Sequence, residues 1–140
     1  MAEETNQLRV RLVTPERTLF EHVVSAVELP AKSGYMEVLY GAAPLMAELG
    51  AGDVTLHGGP DGEQRYNVSW GFAEVLPDRV TILASDALKP EEIDVPRAQE
   101  QLARGHKEWD QAGDSADAYT EALHVIAEAE AKIASAAEKK

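Results

Sequence analysis

The side chains in this chain best suited to metal ligation or proton transfer are its four histidines, His22, His57, His106 and His124. They are scattered, one to a region, without the close spacing of zinc ligands, so each reads as a solvated or half-buried residue and no metal site is expected. A second group is acidic: Glu91, Glu92 and Asp94 lie between Pro90 and Pro96. Neighbouring carboxylates can serve as an acid–base pair. A solvated linker followed by a helix cap accounts for these better, since Asp94 can accept from free amides and Pro96 has no amide to satisfy. No G-x-S-x-G, P-loop or G-x-G-x-x-G run occurs. There is no cysteine, and hence no thiolate nucleophile or disulfide. Tyr66, Trp70 and Phe72 read as strand residues that pack a core. An enzyme would lack any convergent catalytic set.

The 140 residues carry a net charge of -12, with acids in both halves. Nucleic acid is not an expected partner, because phosphate binding needs a basic face. The hydrophobic fraction of 44% supports a core. No run approaches the roughly 18 apolar residues of a spanning helix, so no membrane insertion is expected. The opening M-A-E-E-T-N-Q is acidic and polar, unlike a signal or transit peptide. These features describe an acidic protein working inside the cell.

The elements that hold these residues change character across S-D-A-L-K-P-E-E-I-D-V-P-R-A, Ser85 to Ala98. Before it, Leu8 to Val13 alternates strictly, as a strand with one buried face does. Thr18 to Phe20, Val23 to Leu29, Tyr35 to Tyr40 and Leu45 to Leu49 follow, separated by turns that hold Pro15, Gly34 and Gly41 to Pro44. Asp53 to His57 and Gln64 to Ser69 flank a Gly58–Gly62 hairpin signal. Phe72 to Leu76 and Arg79 to Ala84 complete the set. Strands at roughly 8–12-residue spacing, joined by tight turns, predict an antiparallel sandwich or barrel. The expected division is a sandwich over 1–86, a linker over 87–93 and an antiparallel two-helix hairpin over 94–140.

The first helix runs from Asp94 to about Gln111, with Ala98, Leu102 and Trp109 on one face and Gly105 as its weak point. Ser115 caps the second, which extends to about Ala137 with a stripe of Tyr119, Leu123, Ile126 and Ile133. Burying a large apolar side chain contributes roughly 1.5–3 kcal/mol. Ordering each backbone residue costs about 1–2 kcal/mol. With so few large side chains the hairpin is marginal alone, and it is expected to exchange between docking on the strand module and on another protein.

V-T-P-E-R-T-L-F (Val13 to Phe20), G-A-A-P-L (Gly41 to Leu45), S-W-G-F-A-E-V (Ser69 to Val75), R-V-T-I-L-A-S (Arg79 to Ser85) and I-D-V-P-R-A (Ile93 to Ala98) follow one another in a distinctive order. In that order and spacing, with a helical hairpin behind them, they resemble the epsilon subunit of the F-type ATP synthase. The resemblance implies a ten-stranded sandwich, a two-helix hairpin and no catalysis in this chain. It implies a rotor role on the cytoplasmic face of the bacterial plasma membrane, bound to the gamma subunit and the c ring and coupling proton flow to ATP synthesis. It further implies that the hairpin can extend along gamma toward the alpha/beta hexamer and restrain ATP hydrolysis, with Lys132, Lys139 and Lys140 meeting acidic partners.

The family commonly has G-E-L-G-x-x-P-G-H-A-P-L where this chain has Gly34 to Leu45. Tyr35 replaces the usual acid, Glu37 the second glycine, Tyr40 the proline and Ala42 the histidine. The resemblance assigns rotor contact to Tyr35, Met36, Glu37, Gly41, Ala42 and Pro44, with the first three on an exposed loop. Trp70 replaces the first glycine of S-G-G-F. The I-D-x-x-R-A run resembles a regulatory ATP site of some bacterial members, and it assigns possible ATP contacts to Ile93, Asp94, Arg97, Ala98 and Arg104. Leu88 stands where that site has a glutamate, and the second helix has lysines but no arginine. The phosphates would therefore meet few cations. A small ligand- or carbohydrate-binding sandwich with an accessory hairpin is the alternative from a different class.

Overall fold

The computed structural model describes residues 7–137. The polar opening residues 1–6, and Lys139 and Lys140 at the other end, lie outside the described residues. The chain divides into two compact units, Met1–Leu88 and Lys89–Lys140.

The first unit is a seven-stranded sheet of β1 (Leu8–Val13), β2 (Thr18–Val24), β3 (Ala26–Ala31), β4 (Gly34–Leu39), β5 (Leu45–His57), β6 (Gln64–Leu76) and β7 (Arg79–Leu88). Their order across the sheet is β2-β1-β7-β6-β5-β3-β4. Most pairs are antiparallel, but β1 lies parallel to β7, with Arg9 opposite Arg79 and Val13 opposite Leu83. Val23 to Leu29, read from sequence as one strand, is two, broken at Ser25. Pro30 lies inside β3, where the pairing with β5 is irregular between Glu28 and Ala31 and its missing N–H is tolerated.

The sheet becomes a sandwich by creasing. The β5–β6 ladder joins Leu49 to Gly71 and Ala51 to Ser69, and the β6–β7 ladder joins Gly71 to Ala84 and Ser69 to Asp86. Gly50, Trp70 and Ser85 therefore lie abreast, between those rungs. The inward face changes parity across this line: Leu49 gives way to Val54 and Leu56, Tyr66 and Val68 to Ala73 and Val75, and Ile82 and Ala84 to Ala87. Side chains alternate strictly along a strand, so such a switch requires a local turn of the backbone. Trp70 supplies it with a φ of 59° and Gly71 with a φ of 132°. Counting each creased strand twice turns seven continuous strands into ten straight segments, which reconciles the expected number with the observed one. Leu8, Leu12, Val27, Leu29, Leu49, Leu56 and Ile82 fill the space between the layers and are essentially inaccessible.

The strand β7 runs through Ala87 and Leu88, inside the stretch that the sequence assigns to the linker. In the second unit, Pro90–Glu92 form one 3₁₀ turn, closed by the Glu92 carboxylate accepting from the Lys89 amide at 2.9 Å. Helix α1 (Val95–Asp110) starts at Asp94, whose Oδ1 accepts from the Arg97 amide at 3.2 Å. Helix α2 (Ala116–Ala137) starts at Ser115, whose hydroxyl oxygen accepts from the Ala118 amide at 3.1 Å. The helices meet where Trp109 packs edge-on against Tyr119, ring centroids 4.6 Å apart. They also meet at Gly105, where a Cβ would lie 2.7 Å from Ile126 Cγ1. The helices therefore approach closely at Gly105, and the weakness read from its propensity is set against this packing. Leu123, assigned from sequence to the buried stripe of α2, is mostly exposed, and the buried positions are Ala122, Ala129, Lys132 and Ser135.

Candidate functional site

The residues assigned to the rotor do not form one loop. Tyr35, Met36 and Glu37 belong to strand β4, held in register against Pro30, Leu29 and Glu28 of β3. Alternation sends Met36 inward, where it packs against the core, while Tyr35 and Glu37 face out. Tyr35 is 63% exposed, yet its phenol oxygen accepts from the Asp53 amide at 3.0 Å, so the ring lies down across β5. Gly41, Ala42 and Pro44 follow the other end of β4, beyond Leu39, which is four strand steps and hence roughly 13 Å from Tyr35. That loop is tied to the β6–β7 turn by the Gly41 amide donating to the Pro77 carbonyl at 2.7 Å. What joins the two groups is the free edge of β4, the last strand of the sheet. Tyr35 and Leu39 on this strand and Tyr40 just after it are all exposed.

A second exposed apolar row was not read from the sequence. Phe72 is 50% exposed and Leu83, its partner across the β6–β7 ladder, 52%. Met46, on β5, is 67% exposed. All three face away from the core on the layer containing the first halves of β5 and β7, beside Arg9, Arg11 and Arg79 of β1 and β7. The parity switch at Trp70 and Gly71 is what turns Phe72 outward.

The residues of the ATP-like run sit at the start of the second unit. Ile93 and Ala98 are buried, whereas Asp94, Arg97 and Arg104 are exposed. Asp94 is engaged as the α1 cap, and Arg104 Nε lies 3.7 Å from Glu108 Oε2. Arg97 and Arg104, two helical turns apart, present their charges along one face of α1. Lys132 is nine-tenths buried and pairs with Glu128 at 2.9 Å, so in this conformation it is withdrawn from any external acidic partner.

The histidine spacing gave no metal cluster, but the sheet builds one arrangement that linear spacing conceals. Glu28, Glu37 and His57, on β3, β4 and β5, bring ligand atoms within 4.8 Å of one another.

Residues 7–90 match the family model described as ATP synthase, Delta/Epsilon chain, beta-sandwich domain. The chain is 46% identical over 105 residues to the ATP synthase epsilon chain of Koribacter versatilis, covering 73% of this chain and 71% of that one. It is 41% identical over 133 residues to the ATP synthase epsilon chain of Solibacter usitatus, covering 94% and 97%. Among solved structures it is similar to a chain of the Euglena gracilis mitochondrial ATP synthase, an assembly of OSCP, F1 and c ring. That match has a TM-score of 0.77 and 20% identity, covers 96% of this chain and 82% of the other, and speaks for the fold. The chain belongs to the ATP synthase epsilon chain family.

Proposed function

We propose that this chain is a non-catalytic central-stalk subunit of a proton-translocating ATP synthase, whose β unit attaches to the rotor and whose hairpin regulates ATP hydrolysis. The observation that carries the attachment is the exposure of large apolar side chains on a unit whose own core is complete. Contiguous exposed apolar surface on such a unit marks an interaction site. The free β4 edge, from Tyr35 through Leu39 and Tyr40 to Gly41, Ala42 and Pro44, takes the c ring. The Met46, Phe72 and Leu83 face, with its arginines, takes gamma. Both surfaces lie on the β unit, which leaves the hairpin available for regulation at the cytoplasmic face of the bacterial membrane.

Tyr35→Asp is expected to weaken attachment to the c ring by about tenfold or more, as loss of an anchoring tyrosine does. The strand circular dichroism of the free chain should be retained. Met36→Asp, which puts a carboxylate against the core, should instead destabilise the fold by about 2 kcal/mol or more. Co-purification of the variants with c ring checks the pair. Tyr35→Asp binding as tightly as the parent would remove β4 from the interface.

The hairpin reading is tested by ending the chain after Leu88, where the first compact unit ends. In the assembled enzyme, proton pumping should persist and ATP hydrolysis should stay equal or rise. Loss of assembly, or a fall in hydrolysis with coupling intact, would overturn the regulatory assignment. Regulatory ATP at Ile93, Asp94, Arg97, Ala98 and Arg104 is the finer part of this reading. It would use Arg97 and Arg104 as the phosphate partners, because Asp94 is committed to the helix cap.

A further inference from the structure

Three groups that bind divalent cations converge on the outer face of the β unit. Glu28 and Glu37 are direct cross-strand partners in the β3–β4 ladder. Like charges placed directly opposite destabilise a sheet. The neighbouring cation, Arg65, is engaged with Asp53 at 3.0 Å. His57, on β5, directs Nε2 at Glu28 Oε2 from 3.4 Å. The three ligand atoms lie within 4.8 Å of one another, and none of the residues is buried. His57 Nδ1 lies 3.9 Å from Glu63 Oε1. One ring nitrogen thus turns to the carboxylate pair and the other to a third carboxylate. At 3.9 Å the Glu63 contact is an ion-pair distance and not a hydrogen bond, and a small closure of the Glu63 side chain would let it orient the imidazole from behind.

We propose that Glu28, Glu37 and His57 form a binding site for a divalent transition cation of the zinc type. Zinc takes oxygen and imidazole donors at about 2.0–2.2 Å in a tetrahedron, which sets its donors roughly 3.4 Å apart. Binding requires the three donors to close to that value, and with the backbones fixed by the ladders this movement falls to the side chains. The half-exposed position leaves the fourth place to water. A divalent ion offsets both carboxylates, whereas a protonated His57 offsets one. Imidazole with carboxylates selects zinc over calcium or magnesium, which prefer six or more oxygens. Bound there, the ion ties the β4 edge to β3 and β5 at the end that carries Leu39 and Tyr40.

The test is calorimetric titration of the full chain with Zn²⁺, which requires no other subunit and so is independent of the rotor assignment. One saturable ion per chain is expected. His57→Asn and Glu37→Gln should each abolish it, and Glu63→Gln should weaken it about 10- to 100-fold, the usual effect of losing a group that orients a ligand. Replacing His22, His106 and His124 together should leave binding unchanged. Absence of saturable binding by the parent overturns the proposal. So does binding by His57→Asn or Glu37→Gln at parental affinity, each variant being confirmed as folded by circular dichroism.

Discussion

Gly71→Ala is expected to destabilise the β unit by about 4 kcal/mol or more, the range reserved for substitutions that break a buried structural constraint. A Cβ built on Gly71 would meet the Leu83 carbonyl oxygen at 2.0 Å and Ala84 Cα at 3.0 Å. Both are backbone atoms of β7, and the β6–β7 ladder holds them on either side. Neither can swing aside as the end of a side chain would. The φ of 132° adds strain, because it lies where L residues rarely go. A unit of this size has on the order of 5–15 kcal/mol in total. The variant therefore stands near the limit of folding.

Urea unfolding of the full chain, followed by strand circular dichroism, measures the loss. Gly62→Ala is the control. Gly62 also has a positive φ, 80°, but a Cβ there meets nothing within 4 Å. It should lose only about 1–2 kcal/mol, the cost of the left-handed backbone by itself. The difference between the two variants isolates the collision at the crease. A Gly71→Ala chain within about 1 kcal/mol of the parent, less than backbone strain alone costs, would show that the sheet does not depend on this close approach.

The crease also marks where sequence reading stops being sufficient. The segments Gln64 to Ser69 and Phe72 to Leu76 were legible because each alternates cleanly. Alternation cannot show that both belong to one strand, because the inward residues are even-numbered before Trp70 and odd-numbered after Gly71. Trp70 adopts a left-handed φ that glycine takes without cost. Local chemistry fared better: the Asp94 and Ser115 caps form as their residue types predict, since each reaches an amide only three positions away. The surface sites depended on the sheet instead. Tyr35 begins a segment that reads as strand, whereas the rotor assignment put it on an exposed loop, and its pairing with Pro30 makes it strand. Glu28 and His57 are 29 residues apart, a separation at which no spacing rule operates. Gly105 shows the same divide, its propensity being local while its contact with Ile126 depends on how the helices pair.

Gly105→Leu should separate the two helices while leaving each one helical. A Cβ at Gly105 lies 2.7 Å from Ile126 Cγ1, 3.1 Å from Val125 Cγ1 and 3.3 Å from the Ile126 amide nitrogen. The side-chain atoms can yield slightly, but the amide belongs to the backbone of α2 and cannot. Leucine is among the better helix formers, whereas glycine is about 0.8–1.0 kcal/mol less favourable than alanine, so α1 itself gains. The seam has little in reserve, because the buried positions of the hairpin are mostly alanine, glycine and serine. Overpacking of this kind costs about 1–3 kcal/mol. At 1.4 kcal/mol per decade, that shifts the balance away from the paired state by roughly 5- to 140-fold. If the separated hairpin is the form that restrains the hexamer, the full-length variant should hydrolyse ATP more slowly than the parent. The chain ending at Leu88 should hydrolyse ATP at the parental rate or faster. Helical circular dichroism of the free variant, equal to or above the parent's, would establish that pairing and not helix formation has been lost. Hydrolysis at or above the parental rate would mean that separation of the helices does not engage the hexamer, and the paired seam would then have no part in regulation.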